Sequence, residues 1–270
     1  MRARGVYGHR ETRVGGDVNI YRRSARAYGQ GFSREEREKR AEGEKPQPRA
    51  EDPLLGVANA ARDSTSPTLP TRAEVLSACL STSAVLGVVG VGVYFAAPII
   101  SPAKGTEAFE ALHAGSLVGD ISIKSIVATL ATAGAVTGAR LLLLNVWGDF
   151  RAATDTANSQ VLLPLDGSAA DIALVGSVPA LAEEFLFRFA LLPAISPDWR
   201  GAIISGLVFG ALHVNGGRNV AFAAWASAVG TSYGYLYLYT GSLAASAAAH
   251  ALANVLSALL WTANHDDDVK

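Results

Sequence analysis

A series of apolar segments begins after residue 72 and constrains what this chain can fold into. A helix needs about 20 mostly apolar residues to cross the hydrocarbon layer of a bilayer. Six segments are candidates: 73–100, 125–147, 171–192, 201–214, 220–239 and 242–261. The fourth is short, and we expect it to be tilted or packed inside the bundle. The sequence therefore predicts an all-α fold, a polytopic membrane helical bundle with about six transmembrane helices.

The first 70 residues have a different composition. Residues 1–50 contain eleven Arg and two Lys, with few aliphatic side chains. Such a segment buries too little apolar surface to offset chain entropy, so we predict a disordered basic tail at 1–70 and a helical domain at 71–265. The Arg-rich start resembles a transit peptide, although Ser24 is the only serine among the first thirty residues. Six spans would put both termini on one side, and the basic tail favours the cytosol, stroma or matrix.

Other features of composition limit the function. The formal net charge is −1, which indicates no nucleic-acid partner. Cys79 is the only cysteine, so neither a disulfide framework nor a cysteine-based zinc cluster is available. The expected partners are the lipid bilayer and a membrane peptide or lipidated protein as substrate, while the oligomeric state is left open.

Glycine pairs four residues apart occur in three of the predicted spans. These pairs are Gly134/Gly138, Gly206/Gly210 and Gly230/Gly234. This spacing lets transmembrane helices approach closely, and it predicts a compact bundle.

Three charged side chains lie within the predicted span 171–192, in the stretch LAEEFLFR. An ion at the bilayer centre costs on the order of 3 kcal/mol, so Glu183, Glu184 and Arg188 require partners or a wet cavity. Glu184 and Arg188 are four residues apart and can pair on one helix face. Glu183 lies about 100° around the helix, and we expect it to face another neighbour.

Further polar side chains occur in later spans: His213, and the pair His250 and Asn254. Lipid offers them no hydrogen bonds, so we expect the carboxylate, both imidazoles and the carboxamide to converge. A carboxylate aided by an imidazole can activate water as a general base. A second imidazole with a carboxamide can stabilise an oxyanion, which makes peptide hydrolysis a chemically complete hypothesis.

These residues resemble a known family. Glu-Glu-x-x-x-Arg at 183–188, Phe-x-x-x-His at 209–213 and His-x-x-x-Asn at 250–254 occur in order on successive apolar segments. The pattern is similar to that of the CAAX-processing and bacteriocin-processing (CPBP, Abi) intramembrane endopeptidases, which include the type II CAAX prenyl endopeptidases. The prenyl branch of that family removes the last three residues after a lipidated cysteine.

The resemblance implies catalytic roles for matching positions. Glu183 with His213 would activate the water, and His250 with Asn254 would form the oxyanion site. Glu184 and Arg188 would orient and charge-balance the first motif. The segment after His213 is most similar to members from plants, algae and cyanobacteria, which implies a chloroplast membrane.

Alternative functions differ in chemistry. Gly230–Gly234 reads GTSYG, the serine-hydrolase elbow pattern, but it lies within a predicted helix, where the required strand-to-helix turn is absent. Glu183, His213 and His250 are ligand types that zinc accepts, so a zinc site is the alternative to our prediction of no cofactor. A membrane scaffold or a proton or ion carrier with the same bundle is the competing functional class.

Overall fold

The structure is a computed structural model, and it describes residues 69–114, 117–119, 121–214 and 216–265. The predicted tail therefore lies outside the described residues, except for its last two positions. The described part contains α-helices, one short 3₁₀ helix and one π-helix, with no strand among these residues. The all-α membrane helical bundle predicted from the sequence is confirmed.

Nine α-helices are numbered here along the described chain: α1 (Arg72–Ile100), α2 (Glu107–His113), α3 (Ile123–Val146), α4 (Gly148–Leu162), α5 (Ala169–Glu184), α6 (Leu192–Ile195), α7 (Trp199–Ala211), α8 (Val220–Thr240) and α9 (Leu243–Asn264). The 3₁₀ helix Leu163–Leu165 precedes α5, and the π-helix Phe185–Leu191 connects α5 to α6.

Side-chain caps define where several helices begin. Thr71 and Glu74 form a reciprocal capping box at the start of α1. The side chains of Ser168, Asn219 and Ser242 accept backbone N–H groups at the starts of α5, α8 and α9. Each cap satisfies a donor that the helix itself leaves unpaired.

Three helices of the described chain are long and apolar enough to cross a membrane, namely α1, α3 and α9. Both α1 and α3 leave large apolar side chains uncovered, as at Val88 and Leu142, which is typical of lipid-facing helices. All six predicted spans coincide with helices. However, α7 has only 13 residues, fewer than the roughly 20 that a spanning helix needs.

Two helices were not expected from the sequence, α2 and α4. Helix α4 is rich in polar residues, which hid it from a search for apolar segments. Its buried residues include Phe150, Thr154 and Ala157, three or four positions apart, and they form one inward face. That spacing was the available signal for this helix.

Helices α7 and α8 pack closely through two of the predicted glycine pairs. A Cβ atom at Gly206 would lie 2.6 Å from the Thr231 nitrogen, and one at Gly234 would lie 2.9 Å from the Ala202 Cβ. These contacts run in opposite chain directions, so the helices are antiparallel. For Gly134 and Gly138 of α3 the predicted close helix contact is wrong, because nothing lies within 4 Å of their Cβ positions.

An ion pair joins the first residue of α1 to the start of α5. Arg72 donates from Nε and Nη2 to the Asp171 carboxylate over 2.6 and 2.8 Å. The bidentate geometry fixes the guanidinium against the carboxylate. It thereby positions the beginning of the helix whose last two residues are Glu183 and Glu184.

Candidate active site

The end of α5 changes helix type where the charged residues occur. Glu183 and Glu184 are its last residues, and Arg188 lies in the π-helix that follows. The Leu192 N–H donates to the Phe187 carbonyl, five residues back. The next residue, Pro193, has no N–H and disfavours a regular α-turn here. Single π-turns within helices occur frequently at functional sites.

Glu184 and Arg188 form a fully buried ion pair. Arg188 Nη1 lies 3.1 Å from Glu184 Oε1, and both side chains are 0% exposed. Arg188 Nη2 also donates to the Gly230 carbonyl of α8 over 2.8 Å. The guanidinium lies 4.9 Å from the centre of the Phe209 ring. A buried charge is tolerated only with such partners, and here they come from two other helices.

His250 faces the same carboxylate from α9. Its Nδ1 is 2.9 Å from Glu184 Oε1. An ionised carboxylate only accepts, so Nδ1 carries the proton. The imidazole is stacked on Tyr233 of α8, with ring centres 4.7 Å apart. Glu184 therefore fixes the tautomer, and Tyr233 fixes the plane of the ring. The second nitrogen, Nε2, lies on the side of Glu183.

Glu183 lies opposite that second nitrogen. Its Oε2 is 3.8 Å from His250 Nε2, and its side chain is 17% exposed. This distance is too long for a direct hydrogen bond. A water molecule can bridge polar groups that are separated in this way. The ion-pair contact of Arg188 is with Glu184, as the four-residue spacing of these two residues predicts.

His213 lies just beyond the end of α7. Its Nδ1 is 2.7 Å from the Phe209 carbonyl oxygen. A carbonyl only accepts, so Nδ1 donates, and Nε2 of the neutral ring keeps a lone pair. The Phe209 ring contacts both imidazoles, with centres 4.5 Å from His213 and 5.9 Å from His250. This shared aromatic contact places His213 at the edge of the same cluster.

Asn254 lies one turn after His250 on the same face of α9. Its Nδ2 donates to the Gly176 carbonyl of α5 over 3.3 Å. Glycine favours this approach, because a Cβ at Gly176 would lie 2.7 Å from a Val255 methyl group and 3.3 Å from the Val255 nitrogen. The carboxamide has a second N–H available for another acceptor.

The structure thus brings together Glu183, Glu184, Arg188 and His250, with His213 and Asn254 at the margins. Within the described ranges, no group of three or more His, Cys, Asp or Glu side chains is arranged to hold a metal ion. Ser232, of the serine-hydrolase pattern, lies within α8 and donates to the Ala228 carbonyl over 2.9 Å.

Some contributors to the site were not expected from the sequence. Tyr233 stacks on His250, and the Gly230 carbonyl accepts from Arg188. The sequence indicated Gly230 only through its spacing with Gly234, which predicts close helix packing and not a contact with Arg188. Nothing in the local sequence distinguishes Tyr233 from the other aromatic residues of α8.

A family comparison agrees with this geometry. Residues 166–256 match the family model described as Rce1-like, type II CAAX prenyl endopeptidase. The chain therefore carries an Rce1-like segment, and the family resemblance inferred from its motifs is confirmed. No curated protein and no solved structure matches the chain.

The Rce1-like segment extends from the end of the 3₁₀ region into α9 and includes all six predicted site residues. The family is one of proteases, which supports a hydrolase role for the chain at that level. The family match and the apolar helices α1, α3 and α9 together indicate an integral membrane protein.

Proposed function

We propose that this protein is an intramembrane endopeptidase that hydrolyses membrane-associated peptides with a water molecule activated by Glu183. The observation that carries the proposal is the 3.8 Å separation of Glu183 Oε2 and His250 Nε2 in a bundle of apolar helices. General-base hydrolysis requires a carboxylate and an imidazole close enough for one water molecule to contact both.

In the proposed reaction, the water oxygen attacks the scissile carbonyl carbon while Glu183 accepts a proton from the water. His213 Nε2 lies at the edge of the site as a second proton acceptor. The tetrahedral intermediate then collapses, the C–N bond breaks, and the proton held by Glu183 passes to the leaving nitrogen. The sum is one water added across one peptide bond.

The oxyanion of the intermediate would be stabilised by His250 and Asn254. Donation from His250 Nε2 requires that the ring carry both protons, since the Nδ1 proton faces Glu184. The carboxylates of Glu184 and Glu183 face its two nitrogens, an arrangement that accommodates a charged ring. The second N–H of the Asn254 carboxamide is the other donor. Removing one such donor typically slows acyl transfer about 100- to 1,000-fold.

The proposed substrates are membrane peptides, with prenylated CAAX-type proteins as the specific class suggested by the family match. We propose membership of the plant, algal and cyanobacterial branch, and a chloroplast membrane as the location, from the segment after His213 and the Arg-rich start. Fusion of residues 1–70 to a fluorescent protein tests that location.

The experiment is a cleavage assay of the purified protein in detergent, with prenylated and unprenylated versions of one membrane peptide. We expect Glu183→Gln to lower the rate about 100- to 10,000-fold, the usual contribution of a general base. Glu107→Gln, at an exposed position in α2, is the matched control and should retain full activity. A chelator should leave the wild-type rate unchanged, whereas loss that zinc restores would show a metal-dependent reaction.

Equal background rates for the wild type and for folded Glu183→Gln and His250→Ala variants would contradict the proposal. That result would favour a non-catalytic scaffold or a carrier built on the same bundle. Circular dichroism and thermal unfolding in the same detergent establish that the variants are folded.

A further inference from the structure

A single arginine follows His213 in the sequence after α7. Arg218 lies in the loop between α7 and α8 and is the only Lys or Arg between residues 201 and 269. The side chain is partly buried, and its Nε has no hydrogen-bond partner within the described part of the chain. Its guanidinium carbon lies 5.3 Å from the centre of the Phe222 ring, which holds the group in place.

This arginine is adjacent to the proposed catalytic groups. Phe222 also stacks on His213, with ring centres 6.3 Å apart, so one aromatic ring contacts both Arg218 and His213. Arg218 therefore lies on the side of the candidate site where His213 is located.

The chemistry of Arg218 calls for an anion. A guanidinium has five N–H donors in a planar fork that matches the two oxygens of a carboxylate. In the proposed reaction Glu183 must remain available to take a proton from water. Its carboxylate therefore cannot serve as a permanent ion-pair partner for Arg218.

We propose that Arg218 binds the free C-terminal carboxylate of the peptide substrate. This inference rests on the proposed endopeptidase function and adds a specificity-determining residue to it. Binding the terminal carboxylate beside His213 would hold the scissile bond at a fixed number of residues from the chain end. The enzyme would then discriminate against internal segments of membrane proteins, which have no such carboxylate.

The test uses two peptides that differ only in ending as a free acid or as a carboxamide, with the wild type and Arg218→Gln. For the wild type, we expect kcat/KM to be about 10- to 100-fold lower with the amide, the range for loss of a charge-assisted hydrogen bond. Arg218→Gln should lose a similar factor with the acid and little more with the amide. Arg218→Lys keeps the charge without the fork, and it should recover part of the preference for the acid.

Two results would overturn this inference while the proposed function stands. One is equal wild-type rates on both peptides together with loss of activity in Glu183→Gln. The other is an equal loss for Arg218→Gln on both peptides, which would mean that Arg218 only balances the charge of Glu183. Wild-type rates at background on both peptides would instead remove the proposed function. The wild-type comparison does not depend on how well the Arg218 variants fold.

Discussion

Glu184 accepts contacts from two other parts of the bundle, although it is not the proposed water-activating group. Arg188 from the π-helix and His250 from α9 both approach the same oxygen, Oε1, at 3.1 and 2.9 Å. The other oxygen, Oε2, is buried and has no hydrogen-bond partner among the described residues. This carboxylate therefore couples the ion pair of one motif to the imidazole of another.

The ion pair should contribute strongly to stability because it is fully buried. Arg188→Leu would leave the Glu184 carboxylate without its guanidinium partner, and breaking a buried pair in this way costs about 3–5 kcal/mol. We expect a large fall in the thermal unfolding midpoint, measured in detergent. Activity should be lost as well, since Glu184 would no longer be fixed against His250.

Arg200 provides the matched control for that substitution. Arg200 and Asp198 also form an ion pair, but their side chains are 64% and 39% exposed. Exposed pairs contribute about 0–1 kcal/mol, so Arg200→Leu should hardly shift the midpoint. Similar shifts of the midpoint for the two variants would show that burial does not make the Glu184–Arg188 pair more important for stability than an exposed pair.

Sequence spacing explains part of this cluster. Four-residue spacing predicts the contact of Glu184 with Arg188, since both groups lie on one continuous helix. The contact of Glu184 with His250 joins residues far apart in the sequence. It depends on how closely α9 approaches α5 at Gly176, which no local pattern contains. The sequence thus predicted convergence of these side chains, but not which carboxylate each imidazole would face.

At the scale of elements, the α7–α8 contact supports the site. Helix α7 supplies Phe209, whose ring packs against Arg188. Helix α8 supplies the Gly230 carbonyl and the Tyr233 ring. A Cβ at Gly230 would lie 3.2 Å from Arg188 Nη2, so the guanidinium also depends on a small residue there. The separation of these two helices therefore sets the space for the buried arginine.

Gly206→Ala should force α7 and α8 apart. The added Cβ would lie 2.6 Å from the Thr231 nitrogen and 2.9 Å from its Cα, and backbone atoms cannot move aside cheaply. Overpacking of this kind costs about 1–3 kcal/mol. We expect a lower thermal unfolding midpoint and, because Phe209 and Gly230 would shift, reduced cleavage.

Gly134→Ala in α3 is the control with the same chemical change. Nothing lies within 4 Å of the Cβ position there, so the variant should be neutral or more stable by up to about 1 kcal/mol through helix propensity. A Gly206→Ala protein as stable and active as Gly134→Ala would contradict the close-contact interpretation. The pairs Gly134/Gly138 and Gly206/Gly210 have the same spacing in the sequence. Only the packing of each helix against its neighbours distinguishes them.

At the scale of the whole molecule, the number of membrane crossings depends on α7. The helical stretch from α5 through the π-helix to α6 is continuous, and α8 has 21 residues. Helix α7, with 13 residues, is about 20 Å long, shorter than the hydrocarbon layer. Irregular backbone is tolerated at membrane depth only where it is buried in protein or lines a wet cavity. In the loop after α7, His213 and Arg218 are partly buried.

We therefore predict that α7 completes a crossing together with this loop, so that six segments cross and both termini lie on the same side. Tags at the two ends of the chain, in sealed vesicles treated with protease, should be digested together or protected together. Vesicles opened with detergent give the control in which both tags are lost. Digestion of one tag alone would mean an odd number of crossings. The shortness of α7 would then reflect a helix that enters and leaves on one side, and water would reach Glu183 by a different route.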